Sequence, residues 1–548
     1  MTKTATTPPS VAPLAGWGLL RRGGFRSVWT AFFGSQLVVW MHQVGAVTVV
    51  ASLSDSATLI ALVQTATSLP AVALSLVIGA TADIVDRRRL VLAAQAWMAT
   101  SIAVLAALTL GDAVDPATVL ALTLALGAGM ATSVIAYQAL TPEFVSREEL
   151  PQAVALNGVA INLARALGPA IAGLLIVALS AGTLFAIEAA VVLLLMVVVF
   201  RLRTPEQERD EGEQLGSALR AGARYVRFSP LARPVLVRAA LFSLGASALW
   251  ALLPVVAVGP LALDSRGLGL LMGCVGTGAI IGASVLPRLR RRLPLDLLVA
   301  GATVALAGGL CALAWLREPA LVGAALVGAG AAWLGVLSSL NTAAQRAAAG
   351  WVRARTLASF QLVFQGCLAV GSLAWGVTAG AAGVRTALLA AAAVLIVGTL
   401  AARRWPLSPG EEVDLSPAAS WSHPELSIEP APTDGPVLVT LEYRVLRDRA
   451  EEFVAAMQEL GRVRRRDGAI DWDLYEDLED PGRYLETFTV ASWSEHMRQH
   501  GRRTVSDLEL ERRVESLHVG DEPPQARHLL WAPAALRARR DAEDRRQL

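Results

Sequence analysis

Long apolar runs separated by short charged islands dominate the chain from about residue 28 to residue 403. A helix needs roughly 20 apolar residues to cross a hydrocarbon core about 30 Å thick, and twelve runs are close to that length. The pattern therefore predicts twelve membrane-spanning helices. They are expected near residues 28–53, 58–81, 90–110, 117–140, 153–180, 182–200, 235–262, 266–287, 295–316, 320–345, 355–380 and 384–402.

The arginines between these runs predict the orientation of the chain. Cytoplasmic loops of membrane proteins carry the excess of arginine and lysine, and here arginine-rich loops alternate with loops that hold only Arg266, Arg317 and Arg385. Because twelve is an even number, both termini are expected on the arginine-rich side, in the cytoplasm, of a multi-pass plasma (inner) membrane protein. The arginine-rich positions are Arg21, Arg22, Arg26, Arg87, Arg88, Arg89, Arg147, residues 201–233, residues 288–292, Arg353, Arg355, Arg403 and Arg404.

Composition excludes several classes of function. Lys3 is the single lysine, and a P-loop needs a lysine that reaches the nucleotide phosphates, so the chain has no P-loop motor. The net charge of +2 does not favour a nucleic-acid partner. The three cysteines lie inside apolar runs, which favours packing over a metal site or disulfides. We expect no metal and no cofactor; the expected partners are the lipid bilayer, a small-molecule substrate and protons.

The apolar half of the chain contains an internal repeat. Gly79 opens an arginine-rich turn after the second span, and Gly282 opens a similar turn after the eighth, 203 positions later. Gly168 in the fifth span and Gly371 in the eleventh have the same offset. The repeat predicts two six-helix halves in the same orientation, joined by the polar stretch 201–233. In transporters built this way, the halves rock about a site near the membrane midplane.

Several motifs resemble those of a known family. The turn Gly79–Arg89 resembles the signature turn between helices two and three of the major facilitator superfamily. The stretches Thr141–Asn157, Asn162–Pro169, Trp351–Arg355 and Gln361–Gly366 are similar to its transmembrane secretion effector, or enterobactin exporter-like, branch. The resemblance implies a secondary transporter that exports a siderophore, drug or secondary metabolite by alternating access. Without a nucleotide site, proton antiport is the expected drive.

The signature turn offers gating residues. The glycine allows two helices to approach, and the acid Asp83 ends the second helix just before three arginines. A carboxylate there can pair with an arginine or with a helix N-terminus in one state and separate in the other. The resemblance implies this role, although Ile84 departs from the usual basic residue and leaves the partner open; the alternative is a solvated loop. The gating candidates are Gly79, Asp83, Asp86, Arg87, Arg88 and Arg89.

The fifth span resembles the antiporter motif of superfamily exporters, with alanine in place of several glycines. Small residues let helices pack closely, and proline loosens a helix locally. The alternative is a packing face with no bearing on transport direction. The motif residues are Ala164, Gly168, Pro169 and Gly173.

Three ionisable side chains are candidates well inside predicted spans, where each costs roughly 2.5–3.5 kcal/mol unless it has a partner or a water-filled cavity. Glu188 is our candidate proton carrier, unless it is solvated at the periplasmic rim. Arg165 is expected to line the central cavity or to bond Asn162 in its own half, and His42 to bind a ligand or proton or to pack. Further candidates for cavity-lining groups are Gln36, Gln43, Asn162, Asn341, Gln345, Gln361 and Gln365.

Beyond residue 435 the pattern changes to that of a soluble domain. Strand-like alternation at Val437–Val445, an amphipathic helix over 448–466, strands near 470–475 and 484–490, helices over 493–514 and a strand near 527–531 predict an α+β ferredoxin-like fold. The domain resembles antibiotic biosynthesis monooxygenase-like domains, which usually dimerise through their sheet. We expect a regulatory or self-associating module rather than an enzyme.

The histidines of this tail and the domain boundaries complete the prediction. His496 and His500 lie four residues apart, a spacing that can bind metal. A solvated helix face is the stronger interpretation, because the sequence offers no evident third ligand. Two alternative functions stay open: an importer on the same scaffold, and a membrane-tethered enzyme that acts through the tail. The predicted domains are a cytoplasmic N-terminus (1–26), an N-terminal bundle (27–202), a connecting loop (203–233), a C-terminal bundle (234–404), a linker (405–435), the α+β domain (436–533) and a charged tail (534–548).

Overall fold

A computed structural model gives the architecture of the chain. It describes residues 16–54, 56–84, 86–146, 149–202, 224–407, 413–416, 418, 426, 430–520 and 522–533, without the side chains of 16, 17, 75–84, 151, 155, 350 and 354. The chain forms two units. One comprises Met1–Gly212, Arg238–Leu340 and Leu362–Arg404, and the other Glu213–Val237, Asn341–Gln361 and Trp405–Leu548.

Within the described residues, twelve helices are long and apolar enough to cross a membrane. The twelve predicted spans are thereby confirmed, with ends that differ by at most five residues. The helices are α1 (Gly23–Leu53), α2 (Ala57–Ile84), α3 (Arg87–Leu110), α4 (Pro116–Leu140), α5 (Leu150–Ala178), α6 (Ala181–Phe200), α7 (Ala232–Val258), α8 (Ser265–Arg290), α9 (Leu295–Trp315), α10 (Pro319–Arg346), α11 (Arg353–Ala382) and α12 (Val384–Ala401).

Polar side chains at the helix starts explain why the spans begin where they do. Asp115, Ser180 and Asp264 each accept a hydrogen bond from a backbone N–H three residues later, at the beginning of α4, α6 and α8. These bonds satisfy N–H groups that have no partner within the helix. The short, capped connections bring consecutive spans back across the bilayer with their backbone groups paired, as a hydrocarbon environment requires.

Small residues let the spans approach closely. Where α8 crosses α10, a Cβ added to Gly278 would overlap the carbonyl of Val327, and one added to Gly330 would overlap the carbonyl of Val275. Association of helices in lipid depends on such van der Waals contact because the bilayer provides no hydrophobic driving force between them. Glycine is therefore required at both positions of this crossing.

The other unit contains a four-stranded antiparallel sheet in the order β2-β3-β1-β4. Its strands are β1 (Val437–Arg444), β2 (Asp471–Glu476), β3 (Arg483–Val490) and β4 (Ala526–Leu530), and its helices are α13 (Ala450–Asp467), α14 (Trp493–Arg502) and α15 (Val505–Glu515). Val439, Phe488 and Val490 of the sheet form a core with Phe453 and Met457 of α13. The alternation and the helical spacing in the sequence thus identified these elements.

This unit also includes the segment before α7 and the turn between α10 and α11. The hydroxyl of Tyr225 donates to the carbonyl of Ala347 (2.9 Å) and accepts from the N–H of Ala349 (3.1 Å). Arg224 pairs with Glu495 of α14 at 2.7 Å. The α+β domain therefore contacts the chain that leads into α7 through an ion pair in which the carboxylate is buried.

Candidate functional site

A buried acid–imidazole pair lies inside the first six helices. Nδ1 of His42 on α1 is 3.1 Å from Oε2 of Glu188 on α6, and its Nε2 is 3.4 Å from the hydroxyl of Thr123 on α4. The ring of Phe185 packs against the imidazole with a centroid separation of 5.2 Å. Glu188 has no exposed surface, so it is not solvated at a rim. Two residues that the sequence nominated separately thus form one pair.

The Glu188 carboxyl of this pair is only partly satisfied by hydrogen bonds. Within the described residues the second carboxylate oxygen, Oε1 of Glu188, has no hydrogen-bond partner. A neutral acid beside a neutral imidazole, or a carboxylate beside an imidazolium, holds one shared proton and places no net charge in the bilayer, whereas loss of that proton leaves a net negative charge. An ionisable pair buried inside membrane helices is a candidate proton-binding site.

A chain of amides runs beside the pair between α1 and α2. The Nε2 of Gln43 donates to Oε1 of Gln64 at 2.5 Å, and Nε2 of Gln64 donates to the hydroxyl of Ser68 at 2.9 Å. All three side chains are buried. The sequence analysis nominated Gln43 but not Gln64 or Ser68. The signal for these two was their spacing of four residues, which places them on one face of an apolar helix.

An arginine and two tryptophans meet between the two six-helix halves. The guanidinium of Arg165 on α5 lies 5.1 Å from the ring of Trp40 on α1 and 5.9 Å from that of Trp250 on α7. Its Nη1 donates to Oδ1 of Asn162 at 3.2 Å. Arg165 therefore bonds the residue expected in its own half and also faces the other half.

The aromatic cluster continues into the second half. Trp250 contacts Trp333 of α10 edge to face at 5.3 Å, and Trp333 contacts Phe364 of α11 at 6.0 Å. Phe242 of α7 lies 5.6 Å from Trp333 and closes the group. The sequence analysis missed these residues because a tryptophan within an apolar run is usually a packing residue. Only the meeting of four helices reveals the cluster.

A seam of small residues joins α5 to α8. A Cβ on Gly173 would lie 2.7 Å from the carbonyl of Ser265, and one on Gly269 would lie 2.6 Å from that of Pro169. A Cβ on Gly276 would overlap Ala166. Two residues of the antiporter-like motif thus face the second half. Of the other motif residues, Gly168 packs on Trp40 and Ala164 is fully buried.

The seam is tight at one end and separated at the other. Towards the arginine-rich end of α8, a cavity of about 620 Å³ lies between α5, α8 and α10, lined in part by Gly158, Asn162, Pro287 and Arg290. At the end away from the arginine-rich loops, the hydroxyl of Thr58 on α2 donates to the carbonyl of Gly376 on α11, at 3.1 Å. The two halves therefore contact each other on the side away from the arginine-rich loops.

The arginines of the signature turn bind within the first half. Asp86 caps α3 by accepting from the N–H of Arg89 at 2.9 Å, and Arg87 pairs with Glu143 at 3.2 Å. Arg88 donates to the last carbonyls of α6. The surroundings of Gly79 and the side chain of Asp83 lie outside the described part of the structure. A gate contact through these two residues therefore stays a prediction.

Two of the remaining polar candidates contact each other. The amide of Gln345 donates to Oδ1 of Asn341 at 2.7 Å, one turn away on α10. Gln361 is exposed, and Gln365 is partly buried on α11. Their proposed contribution to a cavity stays a prediction.

Three histidines of the tail lie close together, of which the sequence analysis singled out two. The Nε2 atoms of His496 and His500 are 3.2 Å apart, and the ring of His528 on β4 lies 4.7 Å from that of His496. His496 is 1% exposed, so the expected solvated face is wrong there. Sequence spacing could not find His528, which strand pairing brings close. Among the described side chains, however, no three His, Cys, Asp or Glu residues are arranged to hold a metal ion.

We expect these histidines to make the tail sensitive to acid. Burial lowers the pKa of His496 to about 4 and that of His500 to about 3, below the unfolded value of about 6.5. The folded tail then binds fewer protons than the unfolded chain, so this contribution to stability is present above pH 6.5 and is lost as the pH falls towards 4. Burial raises the pKa of Asp467 to about 6. The contribution of this carboxyl to stability therefore increases as the pH falls below 6, opposite to that of the histidines.

A variant separates the two effects. With His500→Gln, amide exchange of β1 and β3 in the full-length protein, corrected for its intrinsic pH dependence, should lose less protection between pH 7 and pH 5 than in the unaltered protein. An equal loss in the two proteins would contradict the histidine effect.

The fold, the paired halves and the seam define a polytopic membrane transporter of the major facilitator type. The profile of the transmembrane secretion effector family matches residues 14–535. The chain belongs to that family.

Curated relatives are similar over part of their length. The enterobactin exporters EntS of Salmonella choleraesuis (strain SC-B67) and Salmonella typhi are each 30% identical over 207 residues, which is 37% of this chain and 48% of each exporter. The chain thus matches about half the length of these relatives.

Solved structures show the same fold. The nucleoside transporter NupG is 13% identical with a TM-score of 0.54, covering 70% of this chain and 99% of NupG. A bacterial homolog of the human lysosomal transporter Spinster, inward-facing and unoccupied, is 13% identical with a TM-score of 0.57, covering 70% of this chain and 96% of that protein. At these identities the likeness concerns the fold alone.

Proposed function

We propose that the protein exports a small molecule across the plasma (inner) membrane by alternating access, driven by inward movement of protons. The observation that carries the proposal is the asymmetric seam: α5 and α8 touch from Gly173 to Gly276 and leave a cavity towards the arginine-rich end. The relatives that are exporters support the direction. With both termini in the cytoplasm, the open side faces the cytoplasm, where an exported molecule is taken up.

Rocking of the two halves would then carry the substrate across. The contacts of the seam consist of glycine, alanine and backbone atoms. Close van der Waals contact without charge pairing stabilises one state only modestly. A modest difference between the two states is what a transporter needs in order to populate both.

Protons supply the drive in this proposal. His42 and Glu188 form the carrier because they are buried between α1, α4 and α6 and can exchange one proton as a pair. One charge that crosses about 100 mV releases roughly 2.3 kcal/mol. That energy sustains a concentration ratio of some 40- to 50-fold.

Everted membrane vesicles test the proposal. In these vesicles export appears as accumulation in the lumen, and enterobactin is the first compound to assay because of the relatives' function. We expect accumulation with an imposed proton gradient and its loss when a protonophore collapses that gradient. Undiminished accumulation would overturn proton coupling. Accumulation confined to right-side-out vesicles, with counterflow in oriented vesicles, would favour an importer instead.

The tail is proposed to be a ferredoxin-like module that regulates transport or self-associates. Its sheet order and its alternation of strands and helices support the fold. The contact between Arg224 and Glu495, together with the guanidinium of Arg502 lying 4.7 Å from the ring of Trp351, supports regulation, because both partners belong to connections of the transmembrane helices. A protein truncated after Arg404 should still transport. If the truncation instead abolishes the chemical conversion of a substrate, the tail acts as a membrane-tethered enzyme.

A further inference from the structure

Three hydrogen-bond donors of the aromatic cluster and its arginine have no acceptor within the described residues. They are Nε of Arg165, Nε1 of Trp250 and Nε1 of Trp333, each buried and each without a hydrogen-bond partner within the described part of the chain. The two tryptophans are 4% and 3% exposed. Buried polar groups in proteins are nearly always paired, so three unpaired donors in one cluster point to an acceptor that comes from outside the chain.

Two other tryptophans of the membrane helices do have acceptors. The indole N–H of Trp29 donates to the carbonyl of Leu156 at 3.0 Å, and that of Trp375 donates to the carbonyl of Leu244 at 2.8 Å. Helix carbonyls are therefore available to indoles elsewhere in the same bundle. The cluster leaves its indoles without one.

The cluster is also positively charged. Arg165 makes no ion pair in the described residues; its partners are Asn162 and two indole rings. The buried carboxylate of Glu188 is already engaged with His42 on the other side of α1. An uncompensated guanidinium in a membrane interior favours an anion, and its rigid donors suit carboxylate or phenolate oxygens.

The surrounding surface is aromatic. Trp40, Trp250, Trp333 and Phe364 come from four helices of both halves, and rings pack favourably on one another at offset or edge-to-face geometry. We propose that this cluster is a binding site for an aromatic anion, whose oxygens accept from the arginine and the two indoles while its ring packs among theirs. The inference rests on the proposed function, because it names the class of molecule exported.

Binding to the purified full-length protein, without any gradient, tests the inference. The probes are 2-naphthoate, its neutral amide 2-naphthamide and the cation (2-naphthylmethyl)ammonium, measured by isothermal titration calorimetry. We expect naphthoate to bind about tenfold or more tightly than the other two, as a charge-assisted hydrogen bond implies. Equal or weaker binding of naphthoate, or none, would overturn the inference.

Variants locate the site. Arg165→Gln should weaken naphthoate binding about tenfold and leave naphthamide binding nearly unchanged. Arg165→Lys keeps the positive charge and should retain part of the preference for naphthoate over naphthamide. Retained binding in Arg165→Lys would also show that the position tolerates substitution. Trp333→Phe keeps a ring and removes a donor, and it should weaken naphthoate. Trp97→Phe, an exposed indole that bonds the carbonyl of Ala125, is the matched control and should bind as the unaltered protein does.

The outcomes separate this inference from export itself. An unaltered preference for naphthoate in Arg165→Gln would place the anion elsewhere and contradict the site, while leaving gradient-driven accumulation in vesicles intact. Conversely, anion binding with no accumulation in either vesicle orientation would contradict export and keep the site.

Discussion

Replacement of Gly276 by leucine is expected to abolish transport while the protein still folds into the membrane. A Cβ at this position would overlap Ala166 of α5, with the two Cβ atoms only 2.8 Å apart, so α8 could no longer close against α5. Overpacking of this kind costs about 1–3 kcal/mol, which lowers the population of the closed state roughly 5- to 150-fold. In the open state the added side chain faces the gap between the halves.

Gly308→Leu is the matched control. Gly308 also lies inside a membrane helix, α9, but an added Cβ there meets nothing within 4 Å. Accumulation in everted vesicles, normalised to the amount of protein, should fall roughly 5- to 150-fold for position 276 and stay near the unaltered value for position 308. If leucine at position 276 supports full transport, the seam does not close during the cycle.

Glu188→Gln is expected to uncouple the transporter from protons. The amide keeps the shape and a hydrogen bond to His42 but cannot exchange a proton at any pH. Substrate should then equilibrate without being concentrated: the ratio across the vesicle membrane falls from as much as roughly 40- to 50-fold to about one. Counterflow, which needs rocking but no net proton movement, should continue.

Thr123→Val provides the comparison for this experiment. It removes the 3.4 Å contact to the imidazole and keeps the acid–imidazole pair, so accumulation should persist. Parallel measurements of accumulation and counterflow decide the matter. If Glu188→Gln still concentrates substrate against a gradient, the proton is carried elsewhere.

The spans could be predicted from the sequence because the length of an apolar run is a local property that the bilayer itself imposes. The ionisable residues within them were also visible, since each is costly in lipid. Their pairing was not: His42 and Glu188 are 146 positions apart, and a helix in an apolar run gives little indication of which face meets which neighbour. For the same reason, the contact between Trp250 and Trp333 could not be predicted from the sequence.

Other misses have a different cause. His528 joins His496 through strand pairing across the tail, and no spacing rule connects the two. The signature turn illustrates the converse, because its motif was recognisable while its contacts were not: Arg87 meets Glu143, an acid that the sequence analysis did not nominate. Motifs identify residues that matter, and tertiary packing determines the partner.

Disulfide cross-linking across the seam tests the central claim, that the two halves must part there in every cycle. An ideal Cβ on Gly273 lies 3.8 Å from that of Ala170, close to the usual Cβ separation in a disulfide. The variant carries Ala170→Cys and Gly273→Cys, with Cys274, Cys311 and Cys367 changed to alanine. We predict that oxidation stops accumulation in everted vesicles and that a reductant restores it. Equal transport by the cross-linked and the reduced protein would contradict alternating access by these halves.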